Sequence, residues 1–189
     1  MTTPTLHQIV RELVEPMTQA TKTPDGRTIH RVAAPALLDQ LVGLEASSGE
    51  AVRRGFGSRP AARIEALDAA ARIDREASQW VKHLGEDDPA TVKGVVRKLY
   101  SMTANLDQPT VDDITHSVRR WWTMARVLSG WDSAAFQPRN TCPHCERLGT
   151  LRIQVAYRIA TCIECRSTWD SATIGLLADH IRAENGEAA

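Results

Sequence analysis

Two Cys-x-x-Cys pairs, Cys142/Cys145 and Cys162/Cys165, constrain this chain more than any other feature, and they account for all four of its cysteines. Two residues between ligands let a tight turn aim both sulfurs at one ion. The 16 residues between the pairs suffice for a short hairpin that returns the second turn to the first. The spacing predicts a tetrahedral site for one structural Zn2+ ion, the signature of a zinc ribbon. Four sulfur ligands close the coordination shell and leave no position for an activated water, which argues for a structural metal over a catalytic one. A competing pattern is His144-Cys145-Glu146, which matches the His-x-Glu of zinc deaminases with Cys162-x-x-Cys165 as its second half. It fails on context: Thr161 rather than Pro precedes the second pair, the intervening segment reads as a strand hairpin, and Cys142 and Cys145 are left without a role.

The segment around the cysteines reads as strands. Leu151, Ile153 and Val155 alternate along one strand, Tyr157 and Ile159 continue on the return strand, and Trp169 follows on a short third strand. A unit this small has too little core to fold alone, so the metal must supply the missing stability.

Upstream, the pattern is helical. Thr5 with Gln8 forms a capping box ahead of Leu6, Ile9, Val10, Leu13 and Met17, predicting a helix over residues 5–15 that Pro16 disturbs. Thr23-Pro24-Asp25-Gly26 is a turn, residues 27–32 read as extended, and Pro35 precedes a helix carrying Leu37, Leu38, Leu41, Val42 and Leu44 up to the Ser47-Ser48-Gly49 breaker. With Ser58 as N-cap, a long helix follows until Gly85, its predicted buried face being Ile64, Leu67, Ala70, Ile73, Ala77, Trp80 and Leu84. Two further helices are predicted over residues 89–103 and 110–130. The first has a core face of Val92, Val95, Val96, Leu99 and Met102; the second is capped by Thr110 with Asp113 and buries Ile114, Val118, Trp121, Ala125 and Leu128, with Trp122 widening the stripe. Trp131 is expected to pack over the helix end after Gly130. Ser171 caps a last helix with Ile174, Leu177, Ala178 and Ile181 on one face. The expected fold is therefore mainly α: a helical bundle over residues 1–136, a zinc-ribbon β-hairpin module over 137–170, and a terminal helix with a frayed tail over 171–189.

Charge bounds the partners. Lys and Arg number 23 and Asp and Glu 23, so no global field draws the chain onto nucleic acid, and any such contact must come from a local patch. The candidate contacts are Lys93, Arg97 and Lys98 on one helix, Arg119, Arg120 and Arg126 on the next, Arg53 and Arg54 in the Gly- and Arg-rich loop 49–60, and Arg152 and Arg158 on the ribbon's polar face. That loop also offers Phe56 for stacking but lacks the Lys-Ser/Thr pair of a phosphate loop. The ribbon itself, with its four thiolates and one zinc ion counted, is close to neutral. The helix pair 89–103 and 110–130 invites a helix-turn-helix reading, but the connection from Ala104 to Pro109 is long and Asp112 and Asp113 lead the second helix; a packed bundle with a solvated basic rim fits better. The chain start has no basic segment and no apolar run of about 18 residues occurs, so neither export nor membrane spanning is expected. A cytoplasmic chain keeps its thiols reduced, which favours metal ligation over disulfides.

Gly57-Ser58-Arg59-Pro60, the helix ending Trp80 to Gly85, the basic Val118-Arg119-Arg120-Trp121-Trp122 segment running to Gly130-Trp131, and the two cysteine pairs closing on Thr168-Trp169 together resemble uncharacterised small proteins of actinobacteriophages. The resemblance implies a phage protein acting in a bacterial host cytoplasm or within a particle, and it carries no catalytic residues across. One departure is that Glu146 and Arg166 stand where zinc knuckles usually place Gly, a residue that eases positive φ.

Three function classes follow. The first is a non-enzymatic, zinc-stabilised binding protein, a phage regulator touching DNA or host transcription machinery. The second is a virion or assembly module in which the ribbon is a docking knob. The third, an enzyme, lacks support, because the six scattered histidines assemble no nucleophile with a base and no open metal site.

Overall fold

The computed structural model describes residues 4–22, 29–43, 60–129 and 135–186. The Thr23–Gly26 turn, the Ser47–Gly49 breaker, the loop bearing Arg53, Arg54 and Phe56, the Ser58 cap and Trp131 lie outside the described residues.

The first helix, α1 (Leu6–Val14), is held by the complete capping box: Thr5 accepts from the Gln8 N–H while the Gln8 side chain accepts from the Thr5 N–H. It stops because Pro16 forces the preceding residue out of the helical region, and Glu15 is extended at φ −119°, ψ 146°. The chain then enters β1 (Met17–Lys22), which pairs antiparallel with β2 (Ile29–Ala34), Met17 opposite Ala34 and Lys22 opposite Ile29. Met17 thus belongs to a strand, not to the helical stripe its spacing implied.

Among the described residues, four more helices form the bundle: α2 (Leu37–Gly43), α3 (Pro60–His83), α4 (Val92–Met102) and α5 (Gln108–Ser129). Gly85, at φ 79°, closes α3 in the left-handed conformation that ends many helices. The buried face of α3 overlaps the predicted one at Ile73 and Ala77, with Ala70, Trp80 and Leu84 partly buried, and is otherwise turned from it. Ala66, Ala69, Ile73, Ala77 and Val81 are buried, whereas Ile64 is 61% and Leu67 37% exposed. Small residues form the seam and let α3 approach its neighbours closely, so a stripe read from the largest apolar side chains comes out rotated. Helix α5 begins two residues earlier than its predicted cap. Asp107, not Thr110, is the capping acid, its carboxylate accepting from the Thr110 hydroxyl and N–H.

The bundle core is contiguous, from Ile9, Leu13, Leu37 and Leu41 to Leu99, Ile114 and Trp121. Trp121 is fully buried in it, as its spacing implied. The second half of α5 is buried on nearly all sides, with Thr123, Arg126 and Ser129 as well as Met124, Ala125 and Val127 enclosed. The cause is that α5 carries the bundle on one face and the small sheet on the other.

That sheet is three-stranded and antiparallel, ordered β3 (Leu151–Gln154), β4 (Ile159–Cys162), β5 (Thr168–Trp169). Val155 and Tyr157 are not in strands: residues Val155–Tyr157 form a 3-10 turn closed by Arg158 in the left-handed region, φ 54°. The tight reversal leaves the Val155 side chain exposed. Helix α6 (Ile174–Glu184) packs Ile174, Leu177 and Ile181 on the ribbon core of Cys142, Leu151, Ala160, Cys162 and Trp169. Its start is organised by Asp170 rather than Ser171, the Asp170 carboxylate accepting from the N–H groups of Ala172 and Thr173. Among the described residues, no helix is long and apolar enough to cross a membrane.

Candidate metal centre

Each cysteine pair sits on a knuckle, and the two knuckles repeat one backbone pattern. The Cys142 N–H donates to the Arg147 carbonyl at 3.1 Å, and the Cys162 N–H donates to the Ser167 carbonyl at 2.9 Å, five residues on in both cases. The residue after the second cysteine of each knuckle is left-handed: Glu146 at φ 57° and Arg166 at φ 67°. The turn therefore forms without the usual glycine, at a backbone cost of about 1 kcal/mol or more at each site.

The hairpin brings the knuckles face to face. Cys142 Sγ lies 3.7 Å from Cys165 Sγ and Cys145 Sγ lies 3.8 Å from Cys162 Sγ, and all four sulfurs fall within 4.8 Å of one another. A disulfide would need about 2.05 Å. A tetrahedron with metal–sulfur bonds of about 2.3 Å has edges of about 3.8 Å, so the four sulfurs are spaced to hold one metal ion. His144 is outside the cluster; its ring packs on Trp169 with centroids 5.5 Å apart.

The surroundings favour thiolate unevenly. Burial pushes the Cys142 thiol up to about 12, against the opposing pull of the His144 and Cys145 N–H groups. Burial also acts upward on Cys162, but the Thr150 hydroxyl 3.2 Å from its sulfur and the N–H groups of Cys165 and Glu164 outweigh it, and its net shift is downward. A bound cation would have to displace the Cys142 proton, so ligation couples to proton release.

The centre is tied to the bundle through charged side chains. Arg152 on β3 makes a two-pronged bond with Glu65 on α3, Nε to Oε2 at 3.0 Å and Nη2 to Oε1 at 2.6 Å. Its Nη1 donates to the Gly149 and Leu151 carbonyls, so the guanidinium joins the ribbon's own backbone to α3. Beside it, Arg126 of α5 lies 4.2 Å over the Tyr157 ring, hydrogen-bonds the Tyr157 hydroxyl, and stands 3.8 Å from Glu12 of α1. On the far side, the Glu184 carboxylate of α6 accepts from the Asn140 amide and from the Thr141 N–H, each at 2.9 Å.

The ten candidate contact residues divide accordingly. Arg53 and Arg54 lie outside the described residues. Six are engaged by the protein itself: Lys93 with Asp39, Arg97 with the Val14 carbonyl, Lys98 with Glu86 and the Asp87 carbonyl, Arg120 with Glu76, Arg126 with Tyr157 and Glu12, and Arg152 with Glu65. Arg119 and Arg158 are exposed, their guanidiniums have no hydrogen-bond or ion-pair partner among the described residues, and the fold brings them to one cleft. The acids that engage the arginines were not singled out from sequence, yet a signal exists. Glu65 and Glu76 are 11 residues apart, three helical turns, each beside a buried alanine of α3, Ala66 and Ala77.

A family model described as "Domain of unknown function (DUF7341)" matches residues 2–128, the helical part of the chain up to the end of α5. No curated protein and no solved structure matches.

Proposed function

The chain belongs to the DUF7341 family, and we propose that it is a non-enzymatic binding protein in which a zinc ion fixes a ribbon against a family-specific helical bundle. The observation that carries this reading is the sulfur set, four thiols at tetrahedral spacing with no other ligand type in the cluster. Four sulfurs in a tetrahedron suit zinc by softness and geometry, and they close its shell. A closed shell makes the ion a clasp. What it holds in place is a surface, and among the described residues the unpaired cations on that surface include Arg119, Arg158 and the ribbon's Arg139, Arg147 and Arg166.

We read the protein as a phage regulator contacting DNA or host transcription machinery in the host cytoplasm, with Arg53 and Arg54 as further contacts. Metal analysis of the purified chain tests the first half: one zinc per chain is expected, and a chain free of metal that keeps its hairpin overturns it. Binding to DNA over a salt series tests the second half, since contacts to phosphates weaken steeply with salt. A second reading, a virion or assembly docking module, draws on two exposed apolar side chains, Leu148 of the ribbon at 69% and Leu176 of α6 at 70% exposure. Detection of the chain in purified particles would favour it.

A further inference from the structure

Where α1, α5 and the ribbon turn meet, a cleft of about 320 Å3 opens to solvent. Its wall is apolar and aromatic: Ile9 from α1, Trp122 from α5, Tyr157 and Ile159 from the ribbon. Its rim carries Arg119 and Arg158, two exposed guanidiniums with no side-chain partner among the described residues. Two acids also border the cleft, and both are already engaged. Glu12 accepts the Trp122 indole N–H at 2.7 Å and faces Arg126, and Asp170 accepts the N–H groups of Ala172 and Thr173. The cleft therefore offers two guanidiniums without side-chain partners beside an apolar and aromatic lining, in which one face of the Tyr157 ring is covered by Arg126 and both acids are already hydrogen-bonded.

We propose that this cleft binds a nucleotide, an unpaired base against the Trp122 and Tyr157 wall with its phosphate on Arg119 and Arg158. The volume lies at the small end of ligand sites, enough for one planar base and its sugar but not for a duplex edge. Every base presents a π-face, so an aromatic wall recognises it without sequence preference, while guanidiniums match phosphate in geometry as well as charge. Arg158 is in the left-handed region, where Gly is the less costly residue, so the backbone at this position does not itself ask for Arg. The proposal rests on the nucleic-acid-binding reading above and narrows it to unpaired nucleotides. The source is either a free nucleotide or a residue of a single strand.

The test uses the full zinc-loaded chain with three probes: a 12-nucleotide single strand, the same sequence as duplex, and adenosine monophosphate, with inorganic phosphate as competitor. The variants are Arg119→Gln and Arg158→Gly, the second retaining a residue that suits the turn, with zinc content and circular dichroism establishing that each is folded. We expect binding of the monophosphate or the strand, weakened about tenfold or more by each substitution, as for the loss of a charged hydrogen bond. For the strand, the slope of log affinity against log salt should fall by about 0.7 in the double variant, as for the loss of one phosphate contact. Binding of the monophosphate alone assigns a free nucleotide; binding of the strand as well assigns a single-stranded nucleic acid. Inorganic phosphate competing as well as the monophosphate, unchanged affinity in folded double variant, or no binding of either probe overturns the proposal. Duplex binding that survives both substitutions overturns the cleft but leaves the DNA-regulator reading standing, whereas strand or monophosphate binding without duplex binding supports the cleft and removes duplex DNA as the partner.

Discussion

Arg152 and Glu65, 87 residues apart in sequence, form a two-pronged ion pair between the ribbon and the long helix, with 9% and 15% of their side chains exposed. It is the most enclosed ion pair linking the two cores among the described residues, and both partners are desolvated. Such a pair gives orientation more than net stability, because its attraction is offset by the cost of removing two charges from water. Removing one partner has a different consequence, since the other is left buried and uncompensated.

Glu65→Ala should therefore destabilise the protein by about 3 kcal/mol or more, and Arg152→Ala by a similar amount. The double replacement Glu65→Leu with Arg152→Met should recover most of that loss. Urea denaturation of the wild type, Glu65→Leu, Arg152→Met and their combination, read as a cycle, checks this; additive single effects would contradict a shared bond.

Removal of the metal should act mainly on the second core. Cys142 and Cys162 are part of the small cluster that contains Leu151, Trp169 and Leu177, so losing the ion opens that cluster from its centre. Structural zinc contributes on the order of 10 kcal/mol in small modules. Chelation should release β3 to β5 and α6 while the bundle, which has its own core, retains its helices. Amide exchange before and after chelation would show protection lost from about residue 136 onward and kept at Leu99 and Ile114. Uniform loss across the chain would mean that the bundle depends on the ribbon.

What could be read from sequence depended on how local its cause was. The Thr5 capping box, the stop before Pro16 and the cysteine spacing each follow from residues within one turn, and all three appear as the pattern implied. The face of α3 appeared only in part, at Ile73 and Ala77, because whether Ala66 and Ala69 or Ile64 and Leu67 are buried depends on helices brought up from elsewhere in the chain. Arg152 shows the same limit. Alternation placed it on the ribbon's polar face, but that face is where α3 and α5 pack, and Glu65 turns an expected surface contact into an internal one. The convergence of Arg119 and Arg158 likewise needs the ribbon docked on α5 before it exists.

Acid should loosen the bundle through Glu76. Burial acts to raise its carboxyl, but the Trp121 indole N–H at 2.8 Å, Arg72 and Arg120 outweigh it and hold the group below its usual 4.5. A carboxyl with a lowered folded-state value contributes stability that is present above its ordinary value and disappears as pH falls through the lower one. Thermal melts should show a falling midpoint below pH 4.5 that is shallower in Glu76→Gln, a variant that keeps an acceptor for the Trp121 indole. An equal slope in both proteins would place the acid sensitivity elsewhere.

Glycine should improve three positions. Glu146, Arg158 and Arg166 hold φ values of 57°, 54° and 67°, and none of the three needs its Cβ for burial, since all are exposed. The left-handed region costs an L-residue about 1–2 kcal/mol, and the extra chain entropy of glycine offsets about 0.5–1 kcal/mol of the gain. Each substitution to Gly should thus stabilise the ribbon by about 0.5–1 kcal/mol, with the zinc-knuckle pair, Glu146→Gly and Arg166→Gly, additive because they sit on separate turns. Competition with a graded series of zinc chelators would register the same gain as tighter metal retention at the two knuckle positions. No such tightening is expected for Arg158→Gly, whose turn lies at the opposite end of the hairpin from the sulfurs, so a gain in metal retention there would contradict the local origin of the strain.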